Sequence, residues 1–571
     1  MLISNQESGF RKGGIVLMAK YTIGIDFGTL SGRAVLVDIQ NGNVKASSVY
    51  AYQNQVIDQY IPDTNIKLEL DYALQDPKDY LDVIKKTVPI IIKEGKIDHR
   101  DIIGISIDFT SCTVVPVDQN NTPLCFKPEF RNNPHAWVKL WKHHAAQKYA
   151  DELNELAHQE QTDWIHRYGG KISSEWLFPK ILQVLREDYE IYQNIDNFLE
   201  ATDWVTSQLS GNVIRNYCTL GYKAMYHHQE GFPSKTFFKK LDPRMENIIE
   251  EKIKGTFKHL GEVAGTLTPE WASILGLSEN TVIAVGNVDA HVSAPAVHVT
   301  KPGQMLMIMG TSTCDILLDE HEKKVPGMCG VVYGGAIPGY FAYESGQSAV
   351  GDIFAWFVEN YVSKEIELKA KANHQDLHQY LEEQASKLRV GQSGMVALDW
   401  FGGNRSILVD ADVSGMMLGM TLQTTPEEIY RTLIESTAFG KRIIIDNFRA
   451  NGVEVNELFV CGGLPNKNRL LLQIYADVLN MEIKIADSEH TPALGAAMFA
   501  AVAAKDFGGY QTITEASRYM AKVKAEVVKP ILKNVIAYEK IYQEFKLLHD
   551  YFGYGHNDVM KRLKQLKGNI S

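Results

Sequence analysis

The sequence has no apolar run of membrane-spanning length, no Cys-x-x-Cys pair, no excess of positive charge and no Walker-type glycine loop. Each absence removes a class of protein. The longest apolar candidate, residues 493–504, stops at Lys505 and is rich in small residues, so it reads as a packed helix and not as a span. Six cysteines (Cys112, Cys125, Cys218, Cys314, Cys329 and Cys461) lie far apart in a chain of 571 residues. That spacing argues against a disulfide framework or a structural zinc site and points to a reduced, cytoplasmic setting. A net charge of −11 opposes general affinity for nucleic acid or an anionic membrane. It leaves a phosphate ligand open, because a nest of backbone amides binds anions inside an acidic protein. Without Gly-x-x-x-x-Gly-Lys-Ser/Thr the chain is not a P-loop enzyme. Asp26-Phe27-Gly28 spells a protein-kinase tripeptide, but its companion motifs are missing and it sits in a hairpin pattern near the N-terminus.

What remains is an ordinary folded composition, 45% hydrophobic and 22% charged, in a chain long enough for two or three domains. Residues 1–17 are largely polar, with an apolar stretch too short for a signal peptide, and Met18 stands just before the first strand pattern. Residues 1–20 are therefore expected to be an extension, disordered or introduced by a mis-assigned start.

Tyr21-Thr-Ile-Gly-Ile-Asp26 is an apolar strand ending in an aspartate, and a glycine-bearing turn leads from it to a second strand over 34–38. A third β-rich run covers 44–52, a helix is predicted over 77–94, and another strand over 102–107. A similar arrangement returns later: a buried strand at 281–286, a strand at 304–309 entering Gly310-Thr-Ser-Thr313, a strand at 458–463 ending in paired glycines, and a helix at 468–479. A helical tail is expected from 515 to 567. The pattern predicts two α/β domains of related design, each offering a phosphate-sized turn to a central cleft.

In the first turn Gly28 and Gly32 allow backbone N–H groups to approach a phosphate. Thr29 and Ser31 add hydroxyl donors, Arg33 closes the motif, and Asp26 suits Mg²⁺ held through water. Gly310, Thr311 and Ser312 repeat that chemistry, while Gly462 and Gly463, with Asn466 downstream, suit close approach to a nucleotide. Each turn alone is also an ordinary Gly/Ser loop. Their order across two similar halves is the stronger signal.

The combination Ile25-Asp-Phe-Gly-Thr29, Met309-Gly-Thr-Ser-Thr313 and Val460-Cys-Gly-Gly463 resembles the FGGY carbohydrate kinases. Residues 415–420, with Glu435 beyond, are similar to that family's second signature. Further strings, among them Pro128-Glu-Phe-Arg-Asn-Asn-Pro-His-Ala-Trp137, Glu175-Trp-Leu-Phe-Pro-Lys180, Cys218-Thr-Leu-Gly-Tyr-Lys-Ala224, Gly286-Asn-Val-Asp-Ala-His291 and Tyr343-Glu-Ser-Gly-Gln347, resemble the family's bacterial L-ribulose kinases.

The resemblance implies two actin/hexokinase-like (ribonuclease H-like) domains, at about 21–297 and 298–571, around a nucleotide and sugar cleft. It implies ATP and Mg²⁺, phosphorylation of L-ribulose at O5 in L-arabinose breakdown, and no nucleic-acid or membrane partner; a homodimer would be unsurprising. Asp289 takes the place of the catalytic base, and Ser111, Lys223, Asp289 and Glu344 those of sugar contacts, with Lys223 and Glu344 on opposite sides of the cleft. Judged locally, Asp289 also reads as a helix cap, and Lys223 and Glu344 as solvated surface charges. Asp203 is expected to cap a helix, and His143 and His144 to be structural. Trp137, Trp141 and Trp176 read equally as a sugar-facing wall or as core. Two other functions stay open: a kinase for D-ribulose, ribitol or L-xylulose, and an actin- or chaperone-like ATPase without a sugar substrate.

Overall fold

The computed structural model describes residues 19–568 and two short paired strands before them, Arg11–Lys12 and Ile15–Val16. Most of the expected extension, residues 1–20, lies outside the described residues.

Two seven-stranded sheets dominate. The first contains β1 (Tyr21–Phe27), β2 (Ser31–Asp38), β3 (Val44–Ala51), β4 (Ile102–Phe109), β5 (Val263–Thr266), β6 (Val282–Ala284) and β7 (Asn287–Val288). The second contains β8 (Gln304–Met309), β9 (Thr313–Asp319), β10 (Gly330–Tyr333), β11 (Phe341–Gln347), β12 (Glu457–Cys461), β13 (Ile483–Ala486) and β14 (Val523–Val528).

The sheets correspond in six of their seven strands; β7, beside β4, and β10, beyond β11, have no counterparts. In the first, the antiparallel meander β1–β2–β3 continues from β1 into parallel β4 and β6, closed by antiparallel β5. In the second, the antiparallel run β8–β9–β11 continues from β8 into parallel β12 and β13, closed by antiparallel β14. The expected duplication is real, and it places the turns β1–β2 and β8–β9 at equivalent positions. The tail differs from expectation. Between its helices, residues 523–528 alternate apolar and polar side chains and pair with β13 as an edge strand.

The helices that bear on the site are α1 (Pro77–Gly95), α2 (Leu177–Glu187), α3 (Ala201–Ser210), α4 (Tyr217–Lys223), α5 (Asp289–Ala296), α6 (Pro426–Ala450), α7 (Thr491–Ala503) and α8 (Leu532–Gly553). Beside the first sheet, a four-stranded sheet formed by Leu74–Gln75, Val114–Val117, Val138–Lys139 and Asn197–Glu200 carries a separate core around Trp137, Phe178 and Ile181. All six cysteines are free, and no helix among the described residues is long and apolar enough to cross a membrane.

The alanine-rich segment read as a packed helix is α7, and what it packs against is decisive. It follows β13 in the second half of the chain, yet it lies on β1 and β4 of the first sheet and against α5. Thr22 Oγ1 donates to the Ala497 carbonyl at 2.8 Å. A Cβ added at Gly24 would run into the carbonyl oxygen of Ala493, and one at Gly495 into that of Val292. Small residues are needed because backbone meets backbone here. Gly24→Ala and Gly495→Ala should each lower stability by about 1–3 kcal/mol, the usual cost of overpacking. Thermal or urea denaturation checks this; unchanged midpoints in both variants would show that the contact yields without cost.

Candidate active site

The two β-turns have the same hydrogen-bond economy. In the first, Gly28 N–H donates to the Ser31 carbonyl at 3.0 Å, and the carbonyls of Gly28, Thr29 and Leu30 accept from Tyr52 Oη, Gln75 Nε2 and Tyr52 N. In the second, Gly310 N–H donates to the Ser312 carbonyl at 3.0 Å, and the carbonyls of Gly310 and Thr311 accept from the backbone of residues 350–352. In neither turn does the N–H of the central residues, Thr29 and Leu30 or Thr311 and Ser312, go to a backbone carbonyl. Carbonyls turned inward and amides left over make an anion cradle. Gly462 closes on the second turn with φ +99°, and a Cβ there would strike the Met309 carbonyl, whereas Gly463 has open space beside it. Asn466 lies on the following helical turn, its Oδ1 accepting from Lys524 Nζ at 2.8 Å.

Beside the first turn lie three carboxylates that sense one another. Asp26 at the end of β1 pairs in register with Arg33 on β2 and with Asp108 on β4. Asp108 is fully buried and neither of its oxygens accepts a hydrogen bond from a donor. Burial and then the Asp26 charge push its carboxyl well above the usual range, and burial also raises that of Asp26. Asp289 sits in the first turn of α5, whose N-cap is Val288, and its Oδ1 accepts from Ala290 N at 2.7 Å. Burial first, then the nearby Asp26 charge, lifts its carboxyl to about 7.

Asp108 was not singled out in the sequence, although a signal was there. Ile25-Asp26-Phe27 and Ile107-Asp108-Phe109 are the same tripeptide, paired residue for residue, with the two phenylalanine rings stacked at 4.4 Å. Among the described residues no group of three or more His, Cys, Asp or Glu side chains forms a metal cage. The Asp26–Asp108 pair nevertheless suits a cation that brings most of its own oxygen ligands, as Mg²⁺ on a nucleotide does.

At the other side of Asp289, Lys223 and Glu344 do not face each other across open space as expected. They meet: Lys223 Nζ lies 3.2 and 3.3 Å from the two Glu344 oxygens, joining the two halves of the chain. Burial disfavours both charges, but each is the main compensation for the other. The carboxyl therefore lies well below its ordinary range and the ammonium well above. His291, two residues beyond Asp289, adds Nε2 at 3.3 Å from Glu344 Oε2. Ser111 lies in the loop after β4 with only Cys112 Sγ near its hydroxyl, at 3.8 Å.

Supporting residues explain how these are held. Lys180 donates to the carbonyls of Cys112 at 2.5 Å, Leu140 at 2.9 Å and Lys139 at 3.3 Å, fixing the Ser111 loop and the strand end before Trp141. Trp141 Nε1 donates to Thr29 Oγ1 at 3.1 Å, and Trp176 lies against the Lys223 ammonium at 5.4 Å. Only Trp137 is plain core, fully buried and donating to the Arg131 carbonyl. Asp203 is not a helix cap. It lies inside the first turn of α3 and accepts from the backbone and side chain of Asn216, which in turn caps α4, the helix that ends in Lys223. His143 is structural, bonded to Gln183 and Ala73; His144 is more exposed, 3.3 Å from Ser174 Oγ. Glu435 lies outside the cleft. It accepts from Arg431 and Tyr538, tying α8 to α6.

Duplicated sheets, a turn with spare amides in each and a buried carboxylate near the Lys223–Glu344 pair are the features of a two-domain carbohydrate kinase. The FGGY carbohydrate kinase N-terminal domain matches residues 21–295 and the C-terminal domain residues 305–504. The chain is 57% identical to a ribulokinase of Halalkalibacterium halodurans, covering 96% of this chain and 98% of that one. It is 56% identical to a ribulokinase of Geobacillus thermodenitrificans, covering 96% and 97%. Its fold matches a xylulose kinase of Rhodospirillum rubrum with a TM-score of 0.75 at 20% identity, over 94% of this chain and 100% of that one. The chain belongs to the FGGY family of carbohydrate kinases.

Lys180→Met would leave three backbone carbonyls without their donor, at a cost of about 1–3 kcal/mol each in a buried setting if unreplaced. A folded variant should bind sugar several-fold more weakly. Steady-state kinetics with sugar and nucleotide varied separately checks this; an unchanged KM for sugar would show that the Ser111 loop holds its shape alone.

Proposed function

We propose that the protein transfers the γ-phosphoryl group of ATP to O5 of L-ribulose, giving L-ribulose 5-phosphate and ADP, in L-arabinose breakdown in the cytoplasm. The observation that carries this is Asp289, a buried carboxylate that senses Asp26, next to the first turn, and the Lys223–Glu344 pair. The relatives named ribulokinase, matched over nearly the whole chain, support a ribulose as the substrate. Residues 21–297 and 298–571 are taken as the two domains, with α7 crossing between them.

Phosphoryl transfer asks for a positioned nucleophile and neutralised charge, with little covalent chemistry from the protein. In this reading Lys223, Glu344 and Ser111 hydrogen-bond the sugar hydroxyls and present O5 to Asp289, which accepts its proton. Gly28, Thr29, Ser31 and Arg33 with Gly310, Thr311 and Ser312 hold the phosphates. Gly462, Gly463 and Asn466 flank the adenosine. Asp26, with Asp108 beside it, would hold Mg²⁺ through water, where the ion neutralises charge on the phosphate oxygens.

A coupled ADP-release assay with L-ribulose, D-ribulose, ribitol and L-xylulose at saturating Mg-ATP tests the substrate. L-ribulose should give the highest kcat/KM, and a clear preference for another sugar would replace it. Asp289→Asn keeps size and much of the hydrogen bonding but removes the proton acceptor. It should lower kcat by about 10² to 10⁴-fold with little change in affinity for ATP. A folded variant with near-normal kcat would eliminate the base.

The position of Asp289 also predicts a pH profile. Its carboxyl is raised to about 7, so the protonated, inactive form dominates below that pH and the base is available above it. Wild-type kcat/KM for sugar should climb about tenfold per unit below neutrality and level off above. A flat profile between pH 5.5 and 7 would contradict the assignment.

A further inference from the structure

One cation in the pocket has no role in the chemistry above. Arg405 is half-buried, and among the described residues its guanidinium makes neither a hydrogen bond nor an ion pair. Its loop is held on both sides. Asn404 exchanges two backbone hydrogen bonds with Asp410, at 2.8 and 2.9 Å, and its Oδ1 accepts from Leu408 N at 3.0 Å. Ser406 Oγ accepts from Gly346 N at 3.3 Å and lies 3.6 Å from Cys329 Sγ. Gly346 is two residues beyond Glu344 on β11, and Cys329 N donates to the Glu344 carbonyl at 2.8 Å. The loop is thereby fastened to the two segments that carry and flank Glu344.

The groups that sense the Arg405 charge are Glu344 and Cys314 on the second sheet, Cys329 beside it, and Glu175 from the first half of the chain. Asp289 senses Asp26, Glu344 and Lys223. Ser406 holds the Arg405 loop against β11 beside Glu344, at one end of the Lys223–Glu344 pair. Glu175 completes that end. It precedes Trp176, whose ring packs against Lys223. Among the described residues its one salt-bridge partner is the His144 ring, at 3.8 Å.

A sugar whose terminal hydroxyl points at Asp289 presents its opposite end here. For a 2-ketose that end carries a carbonyl oxygen, which only accepts hydrogen bonds, and a primary hydroxyl, which also donates. A guanidinium only donates and a carboxylate only accepts, so the two side chains match those two groups. We propose that Arg405 and Glu175 form the subsite for the carbonyl end of the ketose, Arg405 donating to O2 and Glu175 accepting from O1, and that this selects ketoses over alditols. The inference rests on the ketose reading of the site.

The test compares L-ribulose with ribitol, in which the carbonyl becomes a hydroxyl, for wild type, Arg405→Met and Arg405→Lys. KM for ATP and the thermal midpoint are measured in parallel. Arg405→Met should lose about 10 to 100-fold in kcat/KM on L-ribulose, the usual weight of a hydrogen bond to a charged group. On ribitol, by turnover or by its Ki against L-ribulose, the loss should be no more than a few-fold, with KM for ATP unchanged. Arg405→Lys, which keeps the charge, should recover part of the loss and carries the test if the methionine variant fails to fold. Equal losses on both sugars, no loss, or an effect confined to ATP would overturn the subsite. Wild type that uses ribitol but not L-ribulose would overturn the ketose reading and the subsite together; active wild type with indifferent variants would overturn the subsite alone.

Discussion

The contact of α7 with β1 and α5 sets the geometry of the whole cleft. β1 ends in Asp26 and α5 begins with Asp289, so one helix of small residues gauges the distance between the two carboxylates. Helix and strand approach to backbone distance at Gly24, and helix and helix do so at Gly495. Larger residues would fill those gaps and push the two elements apart. The same helix belongs to the second half of the chain, so the phosphate turn after β8 is referenced to the first sheet through it. A core that draws on both sheets, including Val288, Val292, Leu306, Ile316, Phe459 and Ala497, then surrounds the contact. Close packing of this kind transmits small displacements instead of absorbing them.

Onto that frame the sequence places an unusual density of buried charge. Burial raises the carboxyls of all three; the Asp26 charge raises those of Asp108 and Asp289 further, while a hydrogen bond with Asp108 and the Arg33 charge draw Asp26 back. Such a cluster is a poor source of stability. It is a good site for a cationic partner, and a good place to keep a base near neutrality. The duplicated turns supply the complement: backbone amides left over because the turns' carbonyls are already used.

The legible part of the fold was whatever repeats locally. Strand patterns ending in Asp26-Phe-Gly and in Met309-Gly-Thr showed both hairpins, and the alanine-rich run showed a packed helix. The misses have physical causes. Residues 523–528 alternate as an edge strand must, but they lie between two helical patterns that drew them in. Asp108 is a charge inside an otherwise apolar strand, which local reading treats as part of the strand; only the repeated Ile-Asp-Phe shows that it faces its twin. Lys223 and Glu344 are 121 positions apart, and nothing local shows that α4 lies against β10 and β11. Arg405 lies in a loop without periodicity, so its place beside Glu344 follows from hydrogen bonds at Gly346 and Cys329. Asp203 was read as a cap because an acid near a helix start usually is one; here the cap it serves belongs to the next helix.

The Lys223–Glu344 pair carries the argument one step further. Desolvating two charges costs several kcal/mol per ion, and their attraction recovers this only with good geometry and further hydrogen bonds. At 3.2 and 3.3 Å the ammonium is near both oxygens but close to neither, and His291 adds a third long contact. An apolar pair would hold the halves together at least as well. The charges make sense as partners for something else that enters the pocket, because both already point into it and both remain ionised there. A hydroxyl can donate to the carboxylate and accept from the ammonium at once, adding hydrogen bonds that the pair alone lacks. The pair joins the two halves of the chain, and its desolvation cost is offset by α4, capped through Asp203 and Asn216, and by the strand pairing of β11.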